Sequence, residues 1–359
     1  MVTVAQNAHR DRRRRARRTD NHGDAVDVLA RLSPWARIAV AEPEILSGFK
    51  DDLLRLLFAC CHPALDDGES AALALATVIG LSRDEIARAF VVEPRSMEQR
   101  LTRARRRLRE KGDVDGATPE RGLTRLPSVL RTVYLLFNEG YWSAEDDAPI
   151  RADLCRLAIG LGRSLLQTYP HEPEVAGLVA LLTLHEARRD ARLDEYGRPV
   201  PLPDQDRTRW DHGAIDRASA LLERGLAAGA PGPFQIEAAI AAVHCRAQNA
   251  DATQWSEIAA LYALLEGFRP TPAVRVNRAF ALGKAKGPEA GLSMLAHGDI
   301  DANDYPYVHL VRGALLADAG DAEAAAHSLR QAARCARNEH ERAQIAARIA
   351  ALHVPGGPR

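Results

Sequence analysis

Aromatic residues are scarce in this 359-residue chain, at 5%, and runs of β-branched residues are few. Alanine and leucine take their place, a composition that favours helices over sheets and predicts an all-α protein. Five cysteines, Cys60, Cys61, Cys155, Cys245 and Cys335, form an odd and scattered set. Such a set implies no disulfide framework and fits a reducing cytoplasm. The longest nearly apolar stretch, residues 71–81, is too short to span a bilayer, so no membrane is expected as a partner. The arginine-rich start carries no apolar h-region, and no secretory signal is expected. A P-loop and a G-x-S-x-G elbow are both missing, and no cofactor or catalytic activity is expected.

Net charge is missing too, but only in the sum. Residues 1–18 hold seven arginines and one aspartate, and residues 95–111 hold eight basic residues and two acidic ones. Together these two segments carry +12, so the rest of the chain carries −12. A basic portion is joined to an acidic body, which suggests nucleic acid for one part and another role for the other.

The second basic segment lies in LSRDEIARAFVVEPRSMEQRLTRARRRLREK, residues 81–111. Ser82 and Glu85 make a capping box that opens a short helix with an apolar face of Ile86, Ala87 and Phe90. Residues 91–94 break the pattern, because Pro94 suits only a first helical turn. In the next helix Met97, Leu101, Ala104 and Leu108 fall on one stripe at about 100° per residue. Arg95, Gln99, Thr102, Arg103 and Arg106 project from the opposite side. The pattern predicts a helix-turn-helix whose second helix enters a major groove. A helical hairpin with a merely solvated basic face is the plainer alternative, but a solvated face usually mixes its charges, and this one does not.

The remaining organisation is helical. Residues 1–20 read as a helix fragment and 21–50 as a linker containing a short helix. Two helices, 51–65 and 67–79, join the helix-turn-helix in a unit spanning 51–112, followed by a linker at 113–120. Helices then fill 121–230 and 231–352, with a tail at 353–359. Within 191–202, ARLDEYGRPVPL, a Tyr-Gly turn between extended pieces predicts a small β-hairpin. RAFALGKAKGPEAGL from Arg278 and RGALLADAGDAEAAA from Arg312 correspond at an offset of 34 residues. That period suits a tetratricopeptide-like pair of helices, with a plain helical bundle as the alternative.

Other constellations have a structural and a chemical reading. Cys60-Cys61-His62 lies beside Leu56, Leu57 and Phe58. Adjacent cysteines share one tetrahedral zinc poorly, so core packing is expected there and no metal. His185-Glu186 starts an H-E-x-x-H motif that Arg189 breaks. Asp204, Asp206, Asp211 and His212, near Trp210, read as a helix-capping network rather than a catalytic site. Asn138, Glu139 and Gly140 either close a helix, with Gly140 as its C-cap, or contact the DNA-reading unit. Tyr141 and Trp142 fit either an interface of that kind or packing within the helical extension.

An ordered series of stretches carries a family likeness: DDLLRLLFACCHPAL from Asp51, IARAFVVEPRSMEQRLTRARRRLR from Ile86, YLLFNEGYWSA from Tyr134, EPEVAGLVALLTLHEARRDAR from Glu172 and PGPFQIEAAIAAVH from Pro231. The chain resembles RNA polymerase sigma factors of the sigma-70 superfamily, extracytoplasmic-function group, in the subgroup with a long C-terminal helical extension. The resemblance implies that residues 51–112 are region 4, which reads the promoter −35 element. It implies promoter DNA and core RNA polymerase as partners, and a protein partner or a modulating role for the extension. VTVAQNAHRDRRRRARR resembles the last helix of region 2, so most of region 2 is expected to be missing. Either the true start lies upstream or the product is truncated. Arg95, Ser96, Gln99 and Arg103 are the expected base-edge or adjacent phosphate contacts, and Arg100, Arg106, Arg107 and Arg109 the expected phosphate contacts. Glu98 is expected to pair locally, with Arg95 or Thr102. A helical protein-binding scaffold, tethered to DNA by its helix-turn-helix, is the alternative function.

Overall fold

The structure is a computed structural model and describes residues 43–90, 92–111, 122–141, 151–297, 300, 305, 307–336 and 339–352. Among the described residues the regular elements are all helices, and one isolated antiparallel bridge joins Leu193 and Pro199. The chain divides into two compact units, Met1–Thr132 and Val133–Arg359, and the division falls within one helix. The basic segment at 1–20 and the linker expected at 113–120 lie outside the described residues.

In the first unit α1 (Pro43–Cys60) starts inside the stretch predicted as linker. Pro43 is tolerated there because a first helical turn needs no N–H from it. Helix α2 (Asp67–Ala74) is opened by a capping box that the sequence reading passed over. Asp66 Oδ1 accepts from Glu69 N at 2.7 Å, and Asp66 N donates to Glu69 Oε2 at 3.4 Å. Its last turn widens into a π-turn, Leu75–Ile79. Helix α3 (Arg83–Ala89) starts at the expected Ser82–Glu85 box, with Ser82 N donating to Glu85 Oε2 at 2.6 Å. Helix α4 (Pro94–Lys111) begins at the proline and packs on α2 and α3. Met97, Leu101, Ala104 and Leu108 are all buried. They join a core that includes Leu54, Leu57, Phe58 and Ile86. Fully burying one such side chain is worth about 1.5–3 kcal/mol, so the stripe anchors α4 firmly.

Helix α5 (Leu126–Tyr141) spans the division. In the second unit α6 (Ala152–Thr168), α7 (Pro173–Glu186), α8 (His212–Leu226) and α9 (Pro233–Arg246) form one group. Helix α7, PEVAGLVALLTLHE, has almost no polar face, and residues 175–182 are buried without interruption. A helix apolar all round needs neighbours on every side, and α6, α8 and α9 supply them. Glu174 in its first turn accepts from the N–H groups of Phe234 and Gln235, both at 3.1 Å, and so caps α9 from another helix.

The C-cap alternative for Gly140 does not hold. Helix α5 continues through Gly140 to Tyr141, and Gly140 is not among the positive-φ glycines. A Cβ at Gly140 would lie 2.8 Å from Arg151 O and from Cys155 N. The glycine is there for close approach to the start of α6, not to end a helix. The hairpin is also smaller than expected. Asp194 N donates to Arg198 O at 2.9 Å and Val200 N to Arg192 O at 2.8 Å, but a single bridge forms and no strands. Pro199 and Pro201 have no N–H to extend a ladder.

Helices α10 (Trp255–Phe268), α11 (Pro272–Lys286), α12 (Pro288–His297), α13 (Tyr307–Asp318), α14 (Ala322–Arg334) and α15 (Glu339–Ala351) follow, each packed on the next. The 34-residue offset has a physical counterpart here. Ala279 and Gly291 meet where α11 crosses α12, and a Cβ on Gly291 would lie 2.5 Å from Ala279 O. At the offset positions the pair is reversed: a Cβ on Gly313 would lie 3.3 Å from Ala325 O. One small residue at each crossing lets the two backbones approach, and either helix can supply it.

Candidate nucleic-acid interface

Helix α4 presents two kinds of arginine. On a wheel of about 100° per residue, Arg95, Gln99, Arg103 and Arg106 lie opposite the buried stripe, whereas Arg100 and Arg107 flank it. Arg95, Ser96, Gln99 and Arg103 are all exposed. Among the described residues no acidic group pairs with Arg95, Arg103 or Arg109. Arg106 Nε lies 3.7 Å from Glu110 Oε1, one turn along the same helix and in water. Exposed pairs of this kind hold weakly, at about 0.3–0.5 kcal/mol.

The flanking arginines behave differently. Arg107 Nη1 donates to Glu69 Oε2 at 2.6 Å, and the Glu69 side chain is only 3% exposed against 45% for Arg107. Leaving that carboxylate buried without a cation is costly, so Arg107 has a partner inside the fold. Arg100 is half-buried and sits over the Phe90 ring, 5.4 Å from its centre. Arg105 is half-buried beside the stripe, and burial together with Arg109 lowers its pKa. Glu98 pairs locally, but with a residue the sequence reading did not name: Arg83 Nη1 reaches Glu98 Oε2 at 3.0 Å. Thr102 Oγ1 donates to the Glu98 carbonyl at 2.9 Å instead. Glu98 is thus taken up by Arg83 and Glu110 weakly by Arg106, which leaves Arg95, Arg103 and Arg109 without an acidic partner among the described residues.

Elsewhere in the first unit Cys60 and Cys61 are buried in the core. Burial pushes the Cys60 thiol up to about 12 and the Cys61 thiol in the same direction, so both stay protonated. Cys61 Sγ lies 4.0 Å from Thr132 Oγ1. His62 Nδ1 accepts from Ala64 N at 3.0 Å and so turns the chain after α1.

In the second unit a buried basic centre forms around His185. Arg188 Nη2 lies 2.7 Å from His185 Nδ1 and 3.4 Å from Tyr141 Oη. Arg192 lies over the Tyr141 ring, 3.4 Å from its centre, and donates to the Tyr141 carbonyl at 2.5 Å. Arg207 donates to the carbonyls of His244 and Ala247 at 2.8 and 2.9 Å, and stacks 4.5 Å from the Trp210 ring centre. Burial, reinforced by these arginines, holds His185 well below the usual imidazole range and His244 down to about 4. A neutral imidazole can accept from a guanidinium group, as His185 does from Arg188, and carbonyl and ring contacts of the arginines complete the centre. Tyr141 therefore packs within the extension; Trp142 lies outside the described residues.

The aspartates after the hairpin serve as caps. Asp206 Oδ1 accepts from Thr208 N at 3.0 Å and from its hydroxyl at 2.6 Å. Asp211 Oδ1 accepts from Ala214 N at 2.8 Å and opens α8. His212 Nε2 lies 3.0 Å from Arg207 O. Asp204 ends a short 3-10 turn, Leu202–Asp204. Arg189, the residue that breaks the H-E-x-x-H spacing, pairs with Glu186.

A family of unknown function, DUF6596, matches residues 125–226, which coincide with α5 to α8. An uncharacterized protein of Rhizobium meliloti (strain 1021) is 44% identical over 299 residues, covering 83% of this chain and 70% of its own length. No solved structure matches the chain.

Proposed function

The chain belongs to the same family as the Rhizobium meliloti protein, and we propose that it acts in transcription as a sigma factor of the extracytoplasmic-function type. In this reading α3 and α4 are the two helices of a helix-turn-helix, and α4 lies in the major groove of the promoter −35 element. One observation carries it. The apolar stripe of α4 is buried while Arg95, Gln99 and Arg103 stand outward with no acidic partner among the described residues. Unpaired guanidinium groups on a fixed helix suit phosphates and guanine edges. Arg95, Ser96, Gln99 and Arg103 read bases or adjacent phosphates; Arg106 and Arg109 hold phosphates. Arg100 and Arg107 support the helix from its flanks. The partners are promoter DNA and core RNA polymerase, and the site of action is the cytoplasm.

Selection of duplexes from a randomised pool at several salt concentrations tests the reading. A sequence preference should emerge, with affinity falling steeply as salt rises. Arg103→Ala should cost about 1–3 kcal/mol and relax the choice at one position, whereas Arg109→Ala should lower the salt slope by about one. Absence of salt-sensitive affinity for any duplex would sink the proposal.

The reversed Ala279–Gly291 and Gly313–Ala325 crossings favour a second reading for the last third of the chain. There the helix pairs are tetratricopeptide-like and bind a protein partner, with the DNA unit as a tether. Isolation of a stable partner other than polymerase favours that scaffold.

A further inference from the structure

Helices α6 and α8 both pack on α7 yet make no substantial contact with each other. The sequence leaves that gap open. Ala214 and Ala218 of α8 line the gap with short side chains, between the longer Arg217, Leu221 and Arg224. A cleft of about 690 Å³ results, floored by Val179 and Thr183 of α7. Its walls carry unusual charge. Arg163 stands on α6, Arg217 and Arg224 on α8, and Arg209 just before α8; all four line the cleft and are exposed.

Among the described residues none of these four arginines makes an ion pair. The acidic groups of the cleft are already engaged. Glu186 and Asp190 both pair with Arg189, and Asp211 caps α8. Burial pushes the Glu186 carboxyl up, and Arg189 beside it draws it back down. At the Arg209 end the Trp210 indole N–H is buried and has no acceptor. Arg163, Arg209, Arg217 and Arg224 therefore leave the cleft with an excess of positive charge over its three carboxylates, and like charges around one cavity repel one another. A ligand of opposite charge removes that repulsion. Arginine forks match phosphate oxygens in pairs, and the volume suits a molecule of mononucleotide size.

We propose that the cleft between α6 and α8 binds a compact polyphosphate-bearing small molecule, held from one wall by Arg163 and from the other by Arg217 and Arg224. This site stands independently of the −35 reading, because every residue in it belongs to the second unit.

Calorimetry on the full chain with tripolyphosphate, ATP and adenosine tests it. Tripolyphosphate or ATP should bind and adenosine should not; binding of ATP alone would identify a nucleotide, and equal binding of both the phosphate chain itself. Affinity should fall at least tenfold in Arg217→Ala and further in Arg163→Ala/Arg217→Ala, with circular dichroism and melting unchanged. Arg103→Ala, on the other unit, should leave it unaltered. Silence with both anions, or equal affinity in the double variant, overturns the proposal. So does a result in which these variants weaken only duplex binding, since the walls would then contact a DNA backbone.

Discussion

Helix α4 and the turn between α7 and α8 are both rich in arginine, yet the guanidinium groups go to different places. On α4 the groups opposite the stripe point into water and most lack acidic partners. Between α7 and α8, Arg188, Arg192 and Arg207 fold inward onto Tyr141, His185, Trp210 and backbone carbonyls. The outward groups of α4 hold their charge available; Arg188, Arg192 and Arg207 use theirs as mortar. Arginine content alone therefore marks no interface. What marks one is a guanidinium held in place by its helix and left without a partner.

Acid should strain the buried centre most. His185 and His244 have folded pKa values depressed below the ordinary imidazole value, His244 to about 4. Between that value and about 6.5 the unfolded chain binds more protons than the folded one. Stability is thus full above about pH 7 and falls as pH drops toward 4, by about 2–3 kcal/mol for His244. Glu174, Glu186 and Glu237, whose carboxyl pKa values burial raises, act in the opposite direction and recover part of the loss in acid. Urea midpoints at pH 7.5 and 5.5 check this, and His244→Asn should flatten the difference. Equal midpoints for the native chain would break the contrast between the two regions.

Arg188→Ala comes next. It strips the partner from His185 and one from Tyr141 in a buried setting, and should cost about 2–3 kcal/mol by chemical unfolding. Arg107→Ala tests the α4 arginine that pairs with a buried carboxylate. Glu69 would lose its cation, and a loss of about 1–3 kcal/mol is expected, with Arg107→Lys milder. The smallest effect belongs to Arg103→Ala, whose stability should stay within about 0.5 kcal/mol of the native chain. If Arg103→Ala melted as early as Arg107→Ala, the outward face of α4 would be part of the core after all.

Local features of the chain were the legible ones. The Ser82–Glu85 box, Pro94 and the Met97–Leu108 stripe fix α3 and α4 almost to the residue, because capping and helical periodicity are properties of neighbours in sequence. The buried Cys60 and Cys61 and the capping roles of Asp206 and Asp211 followed from the same kind of reasoning. The Asp66–Glu69 box was equally readable and was passed over. Of the two readings of Gly140 the C-cap fails: a glycine before a polar loop looks like a cap, whereas its actual reason, the α6 backbone, lies 11 residues away at Arg151.

What the chain determined unaided is its helical character, the starts of its capped helices and the apolar face of α4. Each depends on residues within about one or two turns of one another. Tertiary structure alone decided which arginines remain free. Arg107 meets Glu69 across 38 positions and Arg188 meets Tyr141 across 47. Coulomb attraction and burial depend on distance in space, and only the packed helices set those distances.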